Sequence, residues 1–350
     1  MLFNCRNRSR KPRRPVKPFP LPARRSAARL RLEALDERVV PAFLDAVNYA
    51  AGTNPQAIAS GDFNNDAVLD LAIANAGDRT VSVLLGNANG TFRPAISSAA
   101  GNTPSSLAVG DFNEDGKLDL ATGGIDAADV TVLLGQGNGS FQTPVVIDLN
   151  TNSVAQSVAV GDFNSDGKLD LGVLSNYSWS GRCGDYGQYS CGGTDGMVAV
   201  LLGAGAGTFG EPIWYGLGEG YHASLTVADF NADGKLDIAA RSNGDIIVAL
   251  GNGTGTFDYS SYYYNFGAYA ISVVAADVNN DDKIDLAMAN YGDFVGVLLG
   301  NGAGGFSGPQ YYAGASGPEL AVADFNDDAT IDLITTNSNS ATVGVLLGSG

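Results

Sequence analysis

Residues 110–121 read Gly-Asp-Phe-Asn-Glu-Asp-Gly-Lys-Leu-Asp-Leu-Ala. Oxygen-bearing side chains alternate through the first half, a glycine follows, and an apolar run begins at the end. The pattern recurs as GDFNNDAVLDLA from Gly61, GDFNSDGKLDLG from Gly161, ADFNADGKLDIA from Ala228, ADVNNDDKIDLA from Ala276 and ADFNDDATIDLI from Ala323. The six leading aspartates, Asp62, Asp111, Asp162, Asp229, Asp277 and Asp324, are spaced by 49, 51, 67, 48 and 47 residues. Self-similarity at a fixed period marks a repeat architecture. The unit is close to 49 residues, and the long third interval holds an insert at about 175–197.

Working outward from the Asp loop, every unit carries the same punctuation. A short apolar run follows the loop, as at Leu71–Ala74. A second run ends in Leu-Leu-Gly, as at Val81–Gly86, and a Gly/Asn turn then leads to a phenylalanine, as at Asn89-Gly90-Thr91-Phe92. Apolar runs of four to eight residues bounded by Gly, Asn and Asp are strand signals. The count is about four strands per unit: before the loop, after it, at Leu-Leu-Gly, and beyond the phenylalanine. Four antiparallel strands in this length, repeated, are expected to form the blade of an all-β propeller. The last unit reaches Leu346-Leu347-Gly348 without an outer strand, and Phe43–Tyr49 reads as a displaced one. Joined tail to head they complete a blade, so six blades are expected, with seven as the alternative; a solenoid would have no reason to split a unit.

The body, residues 42–350, resembles the FG-GAP or VCBS repeat proteins, which include the integrin α-subunit head and fungal propeller lectins. The resemblance implies a β-propeller that presents loops to a protein or glycan ligand. Relatives mostly build seven blades, whereas this chain supplies six units.

The loop spacing, Asp-x-Asn-x-Asp-x-x-x-Asp, suits a hard dication. Calcium takes six to eight oxygen ligands in irregular geometry, and magnesium is more demanding. Side chains at positions 1, 3, 5 and 9 and the backbone carbonyl at position 7 are the expected ligands. In the second loop these are Asp111, Asn113, Asp115 and Asp119 with the carbonyl of Lys117. The first offers Asp62, Asn64, Asp66 and Asp70. The third offers Asp162, Asn164, Asp166 and Asp170 with Lys168, and the fourth Asp229, Asn231, Asp233 and Asp237 with Lys235. The fifth offers Asp277, Asn279, Asp281 and Asp285 with Lys283, and the sixth Asp324, Asn326, Asp328 and Asp332 with Thr330. Up to six calcium ions are expected, in a structural role. Position 6 should turn sharply, which favours glycine: Gly116, Gly167 and Gly234 meet this, while Ala67, Asp282 and Ala329 do not. Loops two, three and four therefore rank first, five next, and one and six last. The bland alternative is a set of Asx-turns bonding only local donors. An EF-hand is excluded by Thr122 at position 12 and by strand-like flanks.

Composition narrows the function. The chain has 350 residues, 45% hydrophobic and 16% charged, with 47 glycines, and no run approaches a membrane-spanning helix. Residues 1–41 hold 12 of the 20 Lys and Arg but three acids, so the body carries 8 basic and 34 acidic side chains, a balance of −26. Such a body repels phosphate backbones and excludes nucleic acid as a partner. The basic stretch reads as a disordered leader or targeting segment, outside the fold. Around Leu32, Glu33, Leu35, Arg38, Pro41 and Ala42 it resembles leaders of bacterial surface proteins, which implies export to the cell surface or beyond.

No catalytic constellation is legible. His222, the single histidine, reads as a packing or surface residue, without a nucleophile motif or soft-metal cluster beside it. The expectation is a non-enzymatic binding or adhesion scaffold; the alternatives are a propeller lectin and, further off, a polysaccharide-acting hydrolase or lyase. Tyr259, Tyr262, Tyr263, Tyr264, Phe266 and Tyr269 form one aromatic cluster, and Tyr177, Trp179, Tyr186 and Tyr189 mark the insert as the better glycan candidate. A tyrosine recurs six residues after the phenylalanine at Tyr49, Tyr215, Tyr263 and Tyr312, which suggests packing. Cys183 and Cys191 in the insert either close a small loop or remain thiols.

Overall fold

Short Val-, Ile- and Leu-rich runs punctuated by Gly, Asn and Asp fold as strands throughout the computed structural model. It describes residues 48–350 except 102, 125, 127, 150–152, 184–188, 243–244, 259–261, 266–269, 291–293, 314–319, 327, 338–341 and 350. The basic leader expected over 1–41 lies outside the described residues, as does the strand expected over Phe43–Tyr49 except for Asn48 and Tyr49.

Among the described residues, five blades have four strands and the sixth has three. Blade one comprises β1 (Pro55–Gly61), β2 (Asp70–Asn75), β3 (Thr80–Leu84) and β4 (Ile96–Ala99). Blade two comprises β5 (Pro104–Gly110), β6 (Asp119–Gly124), β7 (Asp129–Leu133) and β8 (Val145–Asp148). Blade three comprises β9 (Val154–Gly161), β10 (Asp170–Cys183), β11 (Tyr189–Leu201) and β12 (Ile213–Glu219). Blade four comprises β13 (His222–Ala228), β14 (Asp237–Ser242), β15 (Asp245–Ala249) and β16 (Tyr262–Asn265). Blade five comprises β17 (Ala270–Ala276), β18 (Asp285–Asn290), β19 (Phe294–Leu298) and β20 (Gln310–Ala313). Blade six comprises β21 (Leu320–Ala323), β22 (Asp332–Asn337) and β23 (Thr342–Leu346). Strands follow sequence order across each sheet, every neighbour antiparallel, and the six blades form a six-bladed β-propeller. No helix occurs among the described residues.

Burial explains the composition of each strand. The second strand is covered on both faces, as in β6, where all six residues are buried, and β2 is nearly so. A strand covered on both faces must be apolar or small along its whole length, hence Leu-Ala-Ile-Ala and Leu-Ala-Thr-Gly. The outermost strand faces solvent: β20 is exposed throughout. Five apolar cores lie between consecutive blades. Between blades one and two, Phe63, Val81, Val83 and Leu85 meet Leu120, Leu133 and Phe141. Equivalent sets fill the next four junctions.

The insert extends blade three's central hairpin. β10 and β11 pair from Leu171↔Leu201 to Cys183↔Tyr189 in unbroken register. Cys191 stands opposite Gly181, two residues from Cys183's partner.

A buried carboxylate fastens each Asp loop to its blade. Position 9, the first residue of the second strand, is fully buried in all six units: Asp70, Asp119, Asp170, Asp237, Asp285 and Asp332. One oxygen accepts the N–H of position 2, from Phe63, Phe112, Phe163, Phe230, Val278 and Phe325, at 2.8–3.1 Å. The other accepts the N–H of the Leu-Leu-Gly glycine, from Gly86, Gly135, Gly203, Gly251, Gly300 and Gly348, at 2.6–2.8 Å. A β-carbon on those glycines would lie 2.0–2.4 Å from the carbonyl oxygen preceding the aspartate. No side chain fits, which explains why every third strand closes on glycine.

Gly251→Ala must therefore push the strands apart and leave Asp237 one donor short. The expected loss is about 3 kcal/mol or more, combining overpacking with a lost bond to a charged group, measured as a lower midpoint in denaturant titration. An unchanged midpoint would show that the clasp does not hold the blade.

Candidate metal-binding loops

Positions 1 to 8 form the turn between the first two strands, because the residue before position 1 pairs with position 9: Gly61↔Asp70, Gly110↔Asp119, Ala228↔Asp237. Within loop one, Asp62 Oδ1 accepts the Asp66 N–H at 3.0 Å and the Asn64 N–H at 3.3 Å, and Oδ2 accepts the Ala67 N–H at 2.7 Å. Asn64 Oδ1 accepts the same Asp66 N–H at 2.9 Å, and Asp66 Oδ1 accepts the Val68 N–H at 2.9 Å. The side chains of positions 1 and 3 thus converge on one amide.

The other loops repeat the arrangement. Asp111 and Asn113 meet at Asp115, Asp162 and Asn164 at Asp166, and Asp229 and Asn231 at Asp233. Asp277 and Asn279 meet at Asp281, and Asp324 and Asn326 at Asp328. Position 7 donates its N–H to position 5, from Lys117, Lys168, Lys235, Lys283 and Thr330. Three of these lysines also bring Nζ within 2.9–3.2 Å of the same carboxylate, on Asp115, Asp233 and Asp281. The Thr330 hydroxyl bonds Asp328 likewise.

The structure separates position 9 from positions 1, 3 and 5. The first three are partly or fully solvent-exposed and gather at the turn; the fourth faces inward as the clasp. Their acidities diverge accordingly. Burial pushes Asp119 and Asp237 up to about 6, against two backbone donors each, and the loop carboxylates Asp111 and Asp115, or Asp229 and Asp233, add to the rise. Asp70, Asp170 and Asp285 move up for the same reasons. The neighbouring lysine, through its side-chain hydrogen bond, holds Asp115 and Asp281 below the usual carboxylate range. At Asp62 burial pulls upward, but the backbone donors from Ala67, Asp66 and Asn64 outweigh it and leave the group low.

Sharp turning falls at two places. Position 6 has positive φ whatever its residue: 79° at Gly116, 85° at Gly167, 81° at Gly234, 62° at Ala67 and Asp282, and 65° at Ala329. Position 4 does the same at Asn65, Glu114, Ser165, Ala232 and Asn280 (56–59°). The sequence signals only the first, since these five position-4 residues are of four different types.

A hard dication fits the donor chemistry. Each turn offers oxygen alone, without nitrogen or sulfur ligands, and a carboxylate has about four lone-pair sites, of which the local N–H groups occupy a part. Positions 1, 3 and 5, with the position-7 carbonyl and the position-9 carboxylate beneath, would hold the ion. No group of three His, Cys, Asp or Glu side chains is already drawn around a single point among the described residues.

Elsewhere the candidates are structural. His222 is buried; its Nδ1 lies 2.9 Å from the Gly220 carbonyl oxygen, its N–H bonds Asn176, and a β-carbon on Gly196 would strike its ring. Burial pulls its pKa down, so it packs as a neutral ring. Tyr49 and Tyr215 stack edge-on against Phe92 and Phe257, as the recurrence suggested; in blade four Tyr264, one residue beyond the recurring position, stacks on Phe306, and Tyr312 is exposed. Tyr259, Phe266, Tyr269 and Tyr186 lie outside the described residues.

Comparison with known proteins agrees with this architecture. The model of the FG-GAP-like repeat matches residues 62–122, 121–173, 189–240 and 229–288. No curated protein sequence matches the chain. Among solved structures, a lectin from Agrocybe aegerita, described in recognition of non-reducing terminal N-acetylglucosamine, superposes with a TM-score of 0.53 at 18% identity, covering 81% of this chain and 74% of that one. BBS1N, solved in complex with ARL6DN, superposes with a TM-score of 0.54 at 17% identity, covering 87% and 82%. At these identities the likeness concerns the fold. The four repeat matches span more than half of the residues, and the chain belongs to the FG-GAP-like repeat family.

Proposed function

We propose that the protein is an exported, calcium-stabilised, non-catalytic propeller that presents its loops to a protein or glycan. The observation that carries this reading is the sixfold recurrence of three oxygen-bearing side chains at one turn, on a body with a balance of −26. Asx-turns alone need one Asp or Asn; they do not require two carboxylates and an amide at fixed positions in every copy. Calcium, when bound, would supply the positive charge that these carboxylates otherwise lack. The export reading rests on the resemblance of the leader, and the ligand-presenting role on family membership.

Melting in millimolar calcium and in chelator tests the metal. A ligand at a hundred times its dissociation constant adds about 2.7 kcal/mol per site to the folded state. The melting temperature should rise clearly with calcium, and Asp229→Ala should lower the calorimetric stoichiometry by one. Identical melting in calcium and chelator would overturn the reading.

The weaker loops can be improved. Ala67 and Ala329 hold the left-handed backbone that costs an L-residue about 1–2 kcal/mol. Ala67→Gly and Ala329→Gly should each raise stability by up to about 1 kcal/mol, because glycine also gains freedom when unfolded. Gly116→Ala should do the reverse: nothing lies near its absent β-carbon, so backbone strain alone acts. Denaturant midpoints measure all three.

The second reading, a propeller lectin, is favoured by the Agrocybe aegerita neighbour. Binding on a glycan array that Trp179→Ala abolishes would establish it; an array blank in calcium would leave a protein as the partner.

A further inference from the structure

The foot of the insert hairpin is fastened to the next blade through one residue. His222 opens β13 of blade four, and its ring lies against blade three, where a β-carbon on Gly196 would come within 2.0 Å of Nδ1. Gly196 pairs with Asn176, and the Asn176 amide engages the His222 backbone twice. Nδ2 donates to the His222 carbonyl at 2.5 Å, and Oδ1 accepts the His222 N–H at 2.8 Å. This rung is also the last that β9 reaches, at Val154↔Asn176. Beyond it β10 and β11 continue as a pair from Tyr177↔Asp195 to Cys183↔Tyr189. Whatever holds the rung therefore holds the foot of the ribbon. The turn before His222 adds one bond, from the Gly220 N–H to the Thr194 carbonyl at 2.7 Å.

The other units carry no titratable side chain at this place. Six residues before the end of the first strand stand Pro55, Pro104, Ala155, Ala270 and Gly317. Only the unit that follows the insert has an imidazole there, and its neighbours set its protonation. The Gly220 carbonyl, 2.9 Å from Nδ1, can only accept, so Nδ1 carries the proton and Nε2 the lone pair. Nε2 is buried and has no hydrogen-bond partner among the described residues. A second proton would bring a charge and a donor to a place that receives neither, and an unpaired buried charge is costly. Burial pulls the ring's pKa below 6.5; the Gly220 carbonyl favours the charged form, Arg241 of β14 opposes it and Asp195 of β11 favours it.

We propose that His222 is an acid-released latch: the neutral ring locks the foot of the hairpin to blade four, and a proton on Nε2 lets the foot come away. A hairpin detached from blade four leaves the ring in water, where it titrates near its ordinary value of about 6.5. The latch therefore holds fully above that value and weakens as the pH falls below it. The ratio of open to latched hairpin rises by up to tenfold per pH unit, until the latched ring takes up its own proton. A ligand carried on the insert would be presented on a fixed platform at neutral pH and on a loosened one in acid. This holds whether or not the Asp loops bind calcium, since neither His222 nor its contacts belong to them.

Amide exchange of the full chain tests the latch, corrected for the intrinsic rate and followed over the range of about pH 5 to 8 in which histidine titrates. Exchange over residues 177–183 and 189–195 should quicken below about pH 6.5, while β5, β6 and β7 stay as they were. His222→Phe, which keeps a ring but has no proton site, should abolish the response, and Asn176→Ala should quicken the hairpin already at neutral pH. A response that survives His222→Phe, one that spreads equally through β5, β6 and β7, or a hairpin that Asn176→Ala leaves unmoved overturns the proposal. Should the variants not fold, the wild-type chain decides, because its single histidine gives one imidazole signal by NMR. A midpoint below about 6.5, with hairpin exchange rising in step, supports the latch. A midpoint at or above that value, or a titration that leaves the hairpin unchanged, refutes it.

Discussion

A carboxylate with no access to water, gripped by two backbone amides from different segments, is the constraint on which each blade depends. The position-9 aspartate joins the start of the Asp loop to the end of the third strand, so one side chain sets the loop, the second strand and the third strand in register. Burying an unpaired carboxylate is costly, and a half-paired one is nearly as bad. The pair of donors must therefore be present together, which constrains the glycine: only a residue without a β-carbon brings its N–H that close to the strand ahead. The recurring Asp and the recurring Gly, about 15 residues apart in most blades, are two ends of one interaction.

The same carboxylate links the scaffold to the turn above it. Asp119 is raised by burial first and then by the charges of Asp111 and Asp115. Any cation held by the turn would lower that second contribution. A cation at the turn would thus be coupled electrostatically to the clasp beneath. The lysines at position 7 provide part of that compensation in loops two, four and five, through exposed ion pairs of modest worth.

Much of this was legible in the sequence because a propeller blade is local. Strand pairs are joined by short turns, so apolar runs, Gly/Asn turns and a fixed period expose the order of strands directly. The loop positions were legible for the same reason, as was the packing role of Tyr215. The spacing marks position 9 as an oxygen ligand; that the same carboxylate also clasps two backbone amides is not readable from spacing, which does not say which way a side chain points. Its place at the head of the Leu-Ala run, between apolar neighbours, was the available clue to burial. The positive φ at Glu114 and Ala232 left no trace, since it comes from closing the turn: Asp111 accepts the N–H groups of Asp115 and Gly116, and Asp229 those of Asp233 and Gly234, whatever residue stands between. The long third interval located the insert, but its Gly and Tyr did not announce strands, and continuous pairing from Leu171↔Leu201 to Cys183↔Tyr189 carries it as a ladder.

That ladder also shows why this repeat array tolerates an insertion in blade three. The clasp and the Asp loop sit at the Asp170 end of β10, and the added residues extend the opposite end, past Asn176. Interblade packing draws on the first residues of that strand, Leu171, Val173 and Leu174, which are buried. Lengthening the hairpin leaves both the clasp and the junctions to blades two and four unaltered. A site built on the extension could therefore change its side chains without disturbing the six turns, whereas any change at the glycines of the clasp would be felt in the fold itself.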